Sequence, residues 1–455
     1  MAHSHPLTVT ERGSVLIDGV IAEQVPSEFW RTADCKVRRS PGDVDWTLSA
    51  GDNVGVSRIV EGDLDVTLTV EPKLADADMF FLADYAYGQH HEPLRMLDFD
   101  QPTLTALRQD PTACLLVWHV SAINRFASRW LRRDYRSTDR VFNGKVKGRI
   151  LLDRYVTQHL ASGRANEIPC RTIEQTQDTP NNQVLKAGLR HAAALSHSLP
   201  VTAAGKAVRR QVAAVLPKFA HVSDISVTPS VLRATSARGP QRHYAMVLRA
   251  TRSLLAGQFT GMHAGATATE SFMWDMPTLF QESVRGIVSM IDEIDMDEDQ
   301  RPNASVHDET GLKIKASKVD PDLVIVLPGT GVLLLDTKYK NVLTGQATTT
   351  TETDSVVVLD KKLRISISRA DVYQAVAYRH HSRWSDSTIA SGLLFPVSLS
   401  AGVPLPAPME IRGFGESVPL MFIDIGPYAR YNLGQFRSSL LELANIHETP
   451  ALTAG

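Results

Sequence analysis

The sequence predicts an α+β protein: an N-terminal β-rich domain followed by a basic helical segment, then a C-terminal α/β domain. Three observations predict it. Short β-branched stretches crowd the first hundred residues, apolar residues recur at three- and four-residue spacing through the middle, and helical and strand patterns alternate towards the end. At roughly 150 residues per domain the length allows three such parts, with boundaries at 1–110, 111–270 and 271–455.

Residues 14–21, 54–60 and 64–70 read as strands, with Leu64, Val66, Leu68 and Val70 on one face. Residues 112–133 read as a helix. Leu116, Val120, Ile123, Ala127, Trp130 and Leu131 keep helical spacing, and Arg125, Arg129, Arg132 and Arg133 crowd the remaining surface. Thr179-Pro180 supplies a capping hydroxyl and a proline for the first turn of a helix running to about Ser196. Further helices are expected at 205–218, 241–256, 276–292 and 370–380, a hairpin at 322–339, a loop at 341–358, strands near 390–395 and 419–424, and a last helix near 433–444.

The three cysteines, Cys35, Cys114 and Cys170, lie far apart with no CxxC, which argues against a disulfide framework or a zinc knuckle and for a reducing, cytoplasmic setting. Residues 1–13 lack the charged-then-apolar run of a leader, and the most apolar stretch, 323–335, is broken by Pro328-Gly329-Thr330-Gly331. The net charge of −2 hides a segregation. Residues 121–150 hold nine Lys/Arg and two acids, residues 179–269 hold eleven and one, and residues 291–300 hold six acids. A polyanion-binding surface and a solvated helical face both fit this distribution.

The chemistry-bearing segment runs from Pro321-Asp322 through the apolar Leu323–Leu327, a Pro-Gly-Thr-Gly turn, and Val332-Leu333-Leu334-Leu335 to Asp336-Thr337-Lys338. Side chains alternate along a strand, so Asp336 and Lys338 share a face. A turn of three or five residues sets Asp322 opposite Asp336. Two carboxylates on one face then reach a single divalent ion, and oxygen ligation with room for water suits Mg²⁺, with Mn²⁺ as an alternative. Lys338 is placed to orient a water or to offset developing charge. The [DE]xK triplet is not specific by itself, since Glu71-Pro72-Lys73 and Asp360-Lys361-Lys362 also match; the 336–338 copy is the one that closes an apolar hairpin. Gln374 and Tyr378, four apart on one helical face, can brace the carboxylate-bearing strand. Glu282, on a face with Leu279, Gly286 and Met290, reads by itself as a solvent-exposed glutamate, and beside that small residue it could also lend a further metal oxygen.

This hairpin resembles the PD-(D/E)xK nuclease signature. Over most of its length the chain resembles the McrC family, the nuclease subunit of McrBC-type modification-dependent restriction systems. The resemblance is carried by Val54-Gly55-Val56, Val70-Glu71-Pro72-Lys73, the run Gly144 to Ile150, Asp178-Thr179-Pro180-Asn181-Asn182-Gln183, Leu279-Phe280-Gln281-Glu282, the hairpin itself, Arg369-Ala370-Asp371-Val372-Tyr373-Gln374 and Gly392-Leu393-Leu394-Phe395-Pro396. One departure is Gln281, standing where the family pattern has Glu directly after Leu-Phe; Glu282 follows, turned by about 100° on a helix.

The resemblance implies a Mg²⁺-dependent DNA endonuclease subunit with a C-terminal PD-(D/E)xK domain. Asp322, Asp336, Thr337 and Glu282 would be its metal positions, and Asp322, Asp336, Lys338, Gln374 and Tyr378 its catalytic residues. It further implies an McrB-type AAA+ GTPase ring as partner and double-stranded, modified DNA as substrate, with Arg125, Arg129, Arg132, Arg133, Lys145, Lys147 and Arg149 contacting DNA or partner. The chain has no GxxxxGK[ST], so nucleotide-driven motion falls to another subunit. A non-cutting adaptor that caps and activates the motor is the alternative function, and a stand-alone nuclease of the same fold is a third.

Overall fold

The computed structural model describes all residues except 1–2, 40–45, 62–63, 75, 88–98, 132–133, 200–201, 260–267, 297–302, 308–312, 319–320, 328–330, 345–363, 366, 381–387, 414–415 and 446–455. Helices and strands mix throughout in several sheets, an α+β protein. Cα proximity groups Met1–Trp118, Ser198–Lys206 and Thr260–Gly455 into one unit, and His119–His197 with Ala207–Phe259 into a second.

The first unit starts with β1 (His3–Thr10) and β2 (Ser14–Ile17). The strand expected over 14–21 stops early because Asp18 caps a helix, its carboxylate accepting the Val20 N–H at 2.7 Å. Helices α1 (Gly19–Gln24) and α2 (Ser27–Thr32) follow, then β3 (Cys35–Arg39), β4 (Trp46–Ala50), β5 (Asn53–Glu61) and β6 (Leu64–Glu71). The alternation read in the sequence puts Leu64, Val66, Leu68 and Val70 into one core with Val9, Ile17, Phe29, Trp30 and Leu48. Helix α3 (Met79–Tyr87) is buried at every position, so it carries no amphipathic period for a sequence reading to find. Asp100 caps α4 (Gln101–Gln109), and α5 (Pro111–Trp130) is the expected basic helix.

In the second unit the chain after α5 does not continue as a helix. It forms a three-stranded sheet of β7 (Asp134–Asn143), β8 (Arg149–Ile150) and β9 (Glu167–Thr176), ordered β7-β9-β8. Gly148 has φ +82°, and a Cβ there would lie 2.3 Å from the Arg171 carbonyl oxygen, so the run from Gly144 to Ile150 needs glycine at that approach. Between these strands lie α6 (Leu152–Arg154) and a π-helical turn, Tyr155–Leu160. The helices are α7 (Pro180–Ser198), α8 (Ala203–Val215), α9 (Pro229–Ala234) and α10 (Ala245–Phe259). The Asp178–Gln183 motif, with Lys186 one turn on, ties the start of α7 to the segments around residues 222–223, 236 and 244. Asp178 accepts from the Ser223 N–H and hydroxyl at 2.8 and 2.7 Å. Asn181 exchanges hydrogen bonds with the Ser236 backbone, the Tyr244 hydroxyl donates to Asn182 at 2.8 Å, and buried Lys186 donates to the Val222 carbonyl at 2.6 Å. Asn181, Asn182 and Lys186 are buried, so their bonds satisfy polar groups that packing would otherwise strand.

Back in the first unit come β10 (Ala268–Asp275) and α11 (Met276–Val288), whose N-cap Asp275 accepts the Thr278 N–H at 2.7 Å. Helix α11 ends four residues earlier than expected. Strand β10 pairs with β5, giving the sheet β1-β6-β5-β10. The remaining elements are β11 (Asp295–Met296), β12 (Asn303–His307), β13 (Lys313–Lys318), β14 (Leu323–Leu327), β15 (Gly331–Thr337), β16 (Leu343–Thr344), β17 (Arg364–Ile365), α12 (Arg369–Arg379), β18 (Thr388–Val397), β19 (Met409–Gly413), β20 (Glu416–Asp424) and α13 (Ala429–Asn445). Six strands order as β11-β14-β15-β18-β20-β19. The ladders β14–β15, β11–β14 and β19–β20 are antiparallel, while β15–β18 and β18–β20 are parallel. The β15-to-β18 crossover carries α12, which packs on the sheet. Apolar residues of β14, β15, β18 and β20 fill the core around it, as expected of strands covered on both faces. The three cysteines are free and buried, and among the described residues no helix is long and apolar enough to cross a membrane.

Candidate active site

The β14–β15 ladder runs Leu323 opposite Leu335 through Leu327 opposite Gly331. One step further, that register sets Asp322 opposite Asp336, the juxtaposition inferred from alternation and turn length. Asp336, at the buried end of β15, is 2% exposed. The Lys338 ammonium is ion-paired with Asp336 Oδ2 and also donates to Gln374 Oε1 at 2.9 Å. Gln374 in turn donates through Nε2 to the Tyr378 hydroxyl at 2.5 Å, and that hydroxyl lies 3.5 Å from Asp336 Oδ1. The four-residue spacing on α12 is what lets both side chains face β15.

Asp322 is held by three groups that the sequence reading did not anticipate in these roles. Its Oδ2 accepts the Thr337 backbone N–H at 2.8 Å and the Thr337 hydroxyl at 2.6 Å. Its carbonyl accepts a fork from Arg285 Nε and Nη2, at 2.9 and 2.8 Å. Thr337, expected at the metal, thus has its side chain turned to the first aspartate. Glu282 stands half-buried on α11 with Arg285 at 3.4 Å. Gly286, read as the small residue beside that carboxylate, instead admits the α3 backbone: a Cβ there would lie 1.9 Å from the Tyr85 carbonyl oxygen. Lys340 pairs with Asp371 at 2.6 Å, pinning α12 to the chain just beyond the lysine.

Burial pushes the Asp336 carboxyl up to about 6 from an ordinary 3.8; the Asp322 charge pushes the same way and Lys338 opposes both. Because the folded chain holds this proton more tightly than the unfolded one, the stability it contributes is complete below about 3.8 and is lost as pH rises through about 6. In chelator, the melting temperature of Asp336→Asn is therefore expected to gain on the native chain from pH 4 to pH 8. A constant gap across a calorimetric pH series would contradict the assignment.

Apart from its contact with Lys338, Asp336 Oδ2 is buried without a hydrogen-bond partner. A buried acceptor-only oxygen beside a second carboxylate is a donor set that fits a hard divalent cation. Among the described residues no three or more His, Cys, Asp or Glu side chains gather at one point. Mg²⁺ is compatible with that, since it retains several waters and commonly takes one or two protein carboxylates.

Of the cationic positions expected to touch DNA or a partner, Arg129, Lys145, Lys147 and Arg149 are exposed, Arg125 is half-buried, and Arg132 and Arg133 lie outside the described residues. They belong to the second unit, where Lys145, Lys147 and Arg149 sit on the β7–β9 sheet and its connections rather than on a continued helix. The segments His119–His197 and Ala207–Phe259 contain 22 Lys/Arg and seven Asp/Glu, a net of +15; with −2 for the whole chain, the other unit carries −17.

This mixed sheet, with an acidic hairpin end braced by a crossover helix, is the class of arrangement on which a divalent-metal site can be built. The family model described as McrBC 5-methylcytosine restriction system component matches residues 48–396, which span the hairpin and α12. The chain belongs to that family. No protein of curated function matches it. Among solved structures, a chain of the tetradecameric assembly of Thermococcus gammatolerans McrB AAA+ hexamers with bound McrC is similar with a TM-score of 0.55 at 14% identity, covering 96% of this chain and 100% of that one. A chain of the Thermococcus gammatolerans McrBC complex gives a TM-score of 0.40 at 16% identity, covering 63% of this chain and 88% of that one.

Proposed function

We propose that the chain is the DNA-cutting subunit of its restriction system, a Mg²⁺-dependent endonuclease with a PD-(D/E)xK site, working in the cytoplasm with an McrB-type AAA+ GTPase. The observation that carries this reading is the convergence of Asp322, Asp336, Lys338, Gln374 and Tyr378 at the end of one hairpin. Asp322 and Asp336 would hold the cation. The chemistry a cation bound there would supply is polarisation of a phosphodiester and acidification of a water. Thr337 and Arg285 fix Asp322 from two sides, so its carboxylate needs little reorganisation. Lys338, oriented by Gln374, holds an ammonium where it can align a water or offset charge on the phosphate, and Tyr378 keeps Gln374 in that pose. The GTPase partner is supported by the likeness to the Thermococcus assembly and by the missing P-loop. The +15 unit is the surface suited to polyanionic DNA or to an acidic partner face.

The adaptor reading draws on Gln281, which stands where the family pattern has Glu. Incubating the full chain with its GTPase, GTP, Mg²⁺ and 5-methylcytosine-containing duplex separates the alternatives. Cleavage that needs every component is expected. Stimulated GTP hydrolysis without cut DNA would favour the adaptor, and cutting without the GTPase a stand-alone nuclease.

A further inference from the structure

The Glu71-Pro72-Lys73 triplet plays no part in the site above, yet its lysine reaches the far side of the same strand end. Glu11, just beyond β1, is 2% exposed. Its Oε1 pairs with Lys73 Nζ at 2.7 Å, and its Oε2 accepts the Lys73 backbone N–H at 3.3 Å. Lys73 Nζ in turn lies 4.3 Å from the centre of the Tyr339 ring, within cation–π range. Phe280 of α11 meets the same ring at 5.8 Å between centroids.

Tyr339 is the residue after Lys338. The Lys338 N–H donates to the Leu394 carbonyl at 2.9 Å, extending the β15–β18 pairing by one step, and the Lys340 N–H donates to the Lys338 carbonyl at 2.7 Å. Tyr339 therefore sits at the apex of a three-residue turn whose first residue carries the site's ammonium. Its hydroxyl is buried without a hydrogen-bond partner, so the ring, not the hydroxyl, makes the attachments. Glu11 is buried and the Lys73 side chain half-buried, and such an ion pair gives little net stability over an apolar pair of the same shape.

We propose that Lys73, held by Glu11 against the Tyr339 ring, is a positioning residue for Lys338. Lys73 and Glu11 lie just beyond the ends of β6 and β1, so the N-terminal sheet fixes the turn from behind while Gln374 fixes the ammonium in front. Fixing both sides matters because an error of about 1 Å in a reacting group can cost roughly 100-fold in rate. The inference rests on the nuclease reading above.

The test uses the full chain with its GTPase, GTP, Mg²⁺ and methylated duplex. Glu11→Gln/Lys73→Met removes the pair without leaving a lone buried charge, Tyr339→Leu removes the ring, Lys73→Arg keeps both attachments, and Asp336→Asn is carried alongside. The first two are expected to lower kcat by about ten-fold or more, with KM for DNA and GTPase stimulation unchanged. Their combination should cost no more than either alone, and Lys73→Arg should recover most of the rate. Hydrogen exchange at the Lys338 amide should speed up in both weakened variants while α13 stays as protected as before. Two results would overturn the proposal: native kcat in Glu11→Gln/Lys73→Met while Asp336→Asn is dead, or parallel losses of kcat, DNA affinity and GTPase stimulation with a lowered melting temperature. Cutting by Asp336→Asn would instead remove the underlying nuclease reading.

Discussion

Asp336→Asn is expected to lose DNA cleavage by a factor of roughly 10³ or more, the scale at which a preorganised charge at a reacting centre acts. Asparagine keeps the volume at the end of β15, so the apolar hairpin beneath it stays packed. What goes is the charge that pairs with Lys338 and that, with Asp322, would bind the cation. If, as proposed, the cationic unit contacts the GTPase, the folded variant should still form that complex and stimulate GTP hydrolysis, since Asp336 belongs to the other unit. Rate measurements on methylated duplex together with GTP turnover check both halves. Retained cutting would discard the catalytic assignment, and joint loss of both activities would show that Asp336 supports the fold.

The second large effect concerns stability. Gly286→Val is expected to cost well above the ~1–3 kcal/mol usual for overpacking, because what a Cβ would strike is backbone. The position lies 1.9 Å from the Tyr85 carbonyl oxygen and 2.7 Å from its carbon, which cannot swing aside as a side-chain tip can. Helix α11 must then move off α3. Arg285, next in sequence, grips the Asp322 carbonyl, so the shift also reaches the site. Denaturant unfolding should show a much lower midpoint for Gly286→Val than for Glu282→Gln, an α11 change at a half-buried side chain. Equal midpoints would contradict the close crossing.

How far the sequence could be read follows from which forces are local. The hairpin was legible because an apolar run, a Gly/Pro turn and strand alternation fix the register, and the register alone aligns Asp322 with Asp336. Gln374 and Tyr378 were legible from helical periodicity. Arg285 was not: its partner is a backbone carbonyl 37 positions away, for which no side-chain pattern exists. The sheet around 134–176 was hidden because its arginines suggested continuation of the basic helix, while its period-two alternation of Tyr135, Ser137, Asp139 and Val141 mixes polar with exposed apolar residues. Helix α3 lacked a period because all its faces are covered. Lys73 stands out in the sequence as part of a nonspecific triplet and of the family resemblance, but neither reveals its use, which depends on a ring that folding brings to it.

The most direct measurement is anomalous scattering from crystals of the full chain soaked in Mn²⁺, a stand-in for Mg²⁺ with similar oxygen preference. The nuclease account predicts one strong peak beside Asp322 and Asp336, absent from Asp336→Asn crystals soaked identically. A peak elsewhere, or none between the two aspartates while Lys338 remains locked on Asp336, would contradict it.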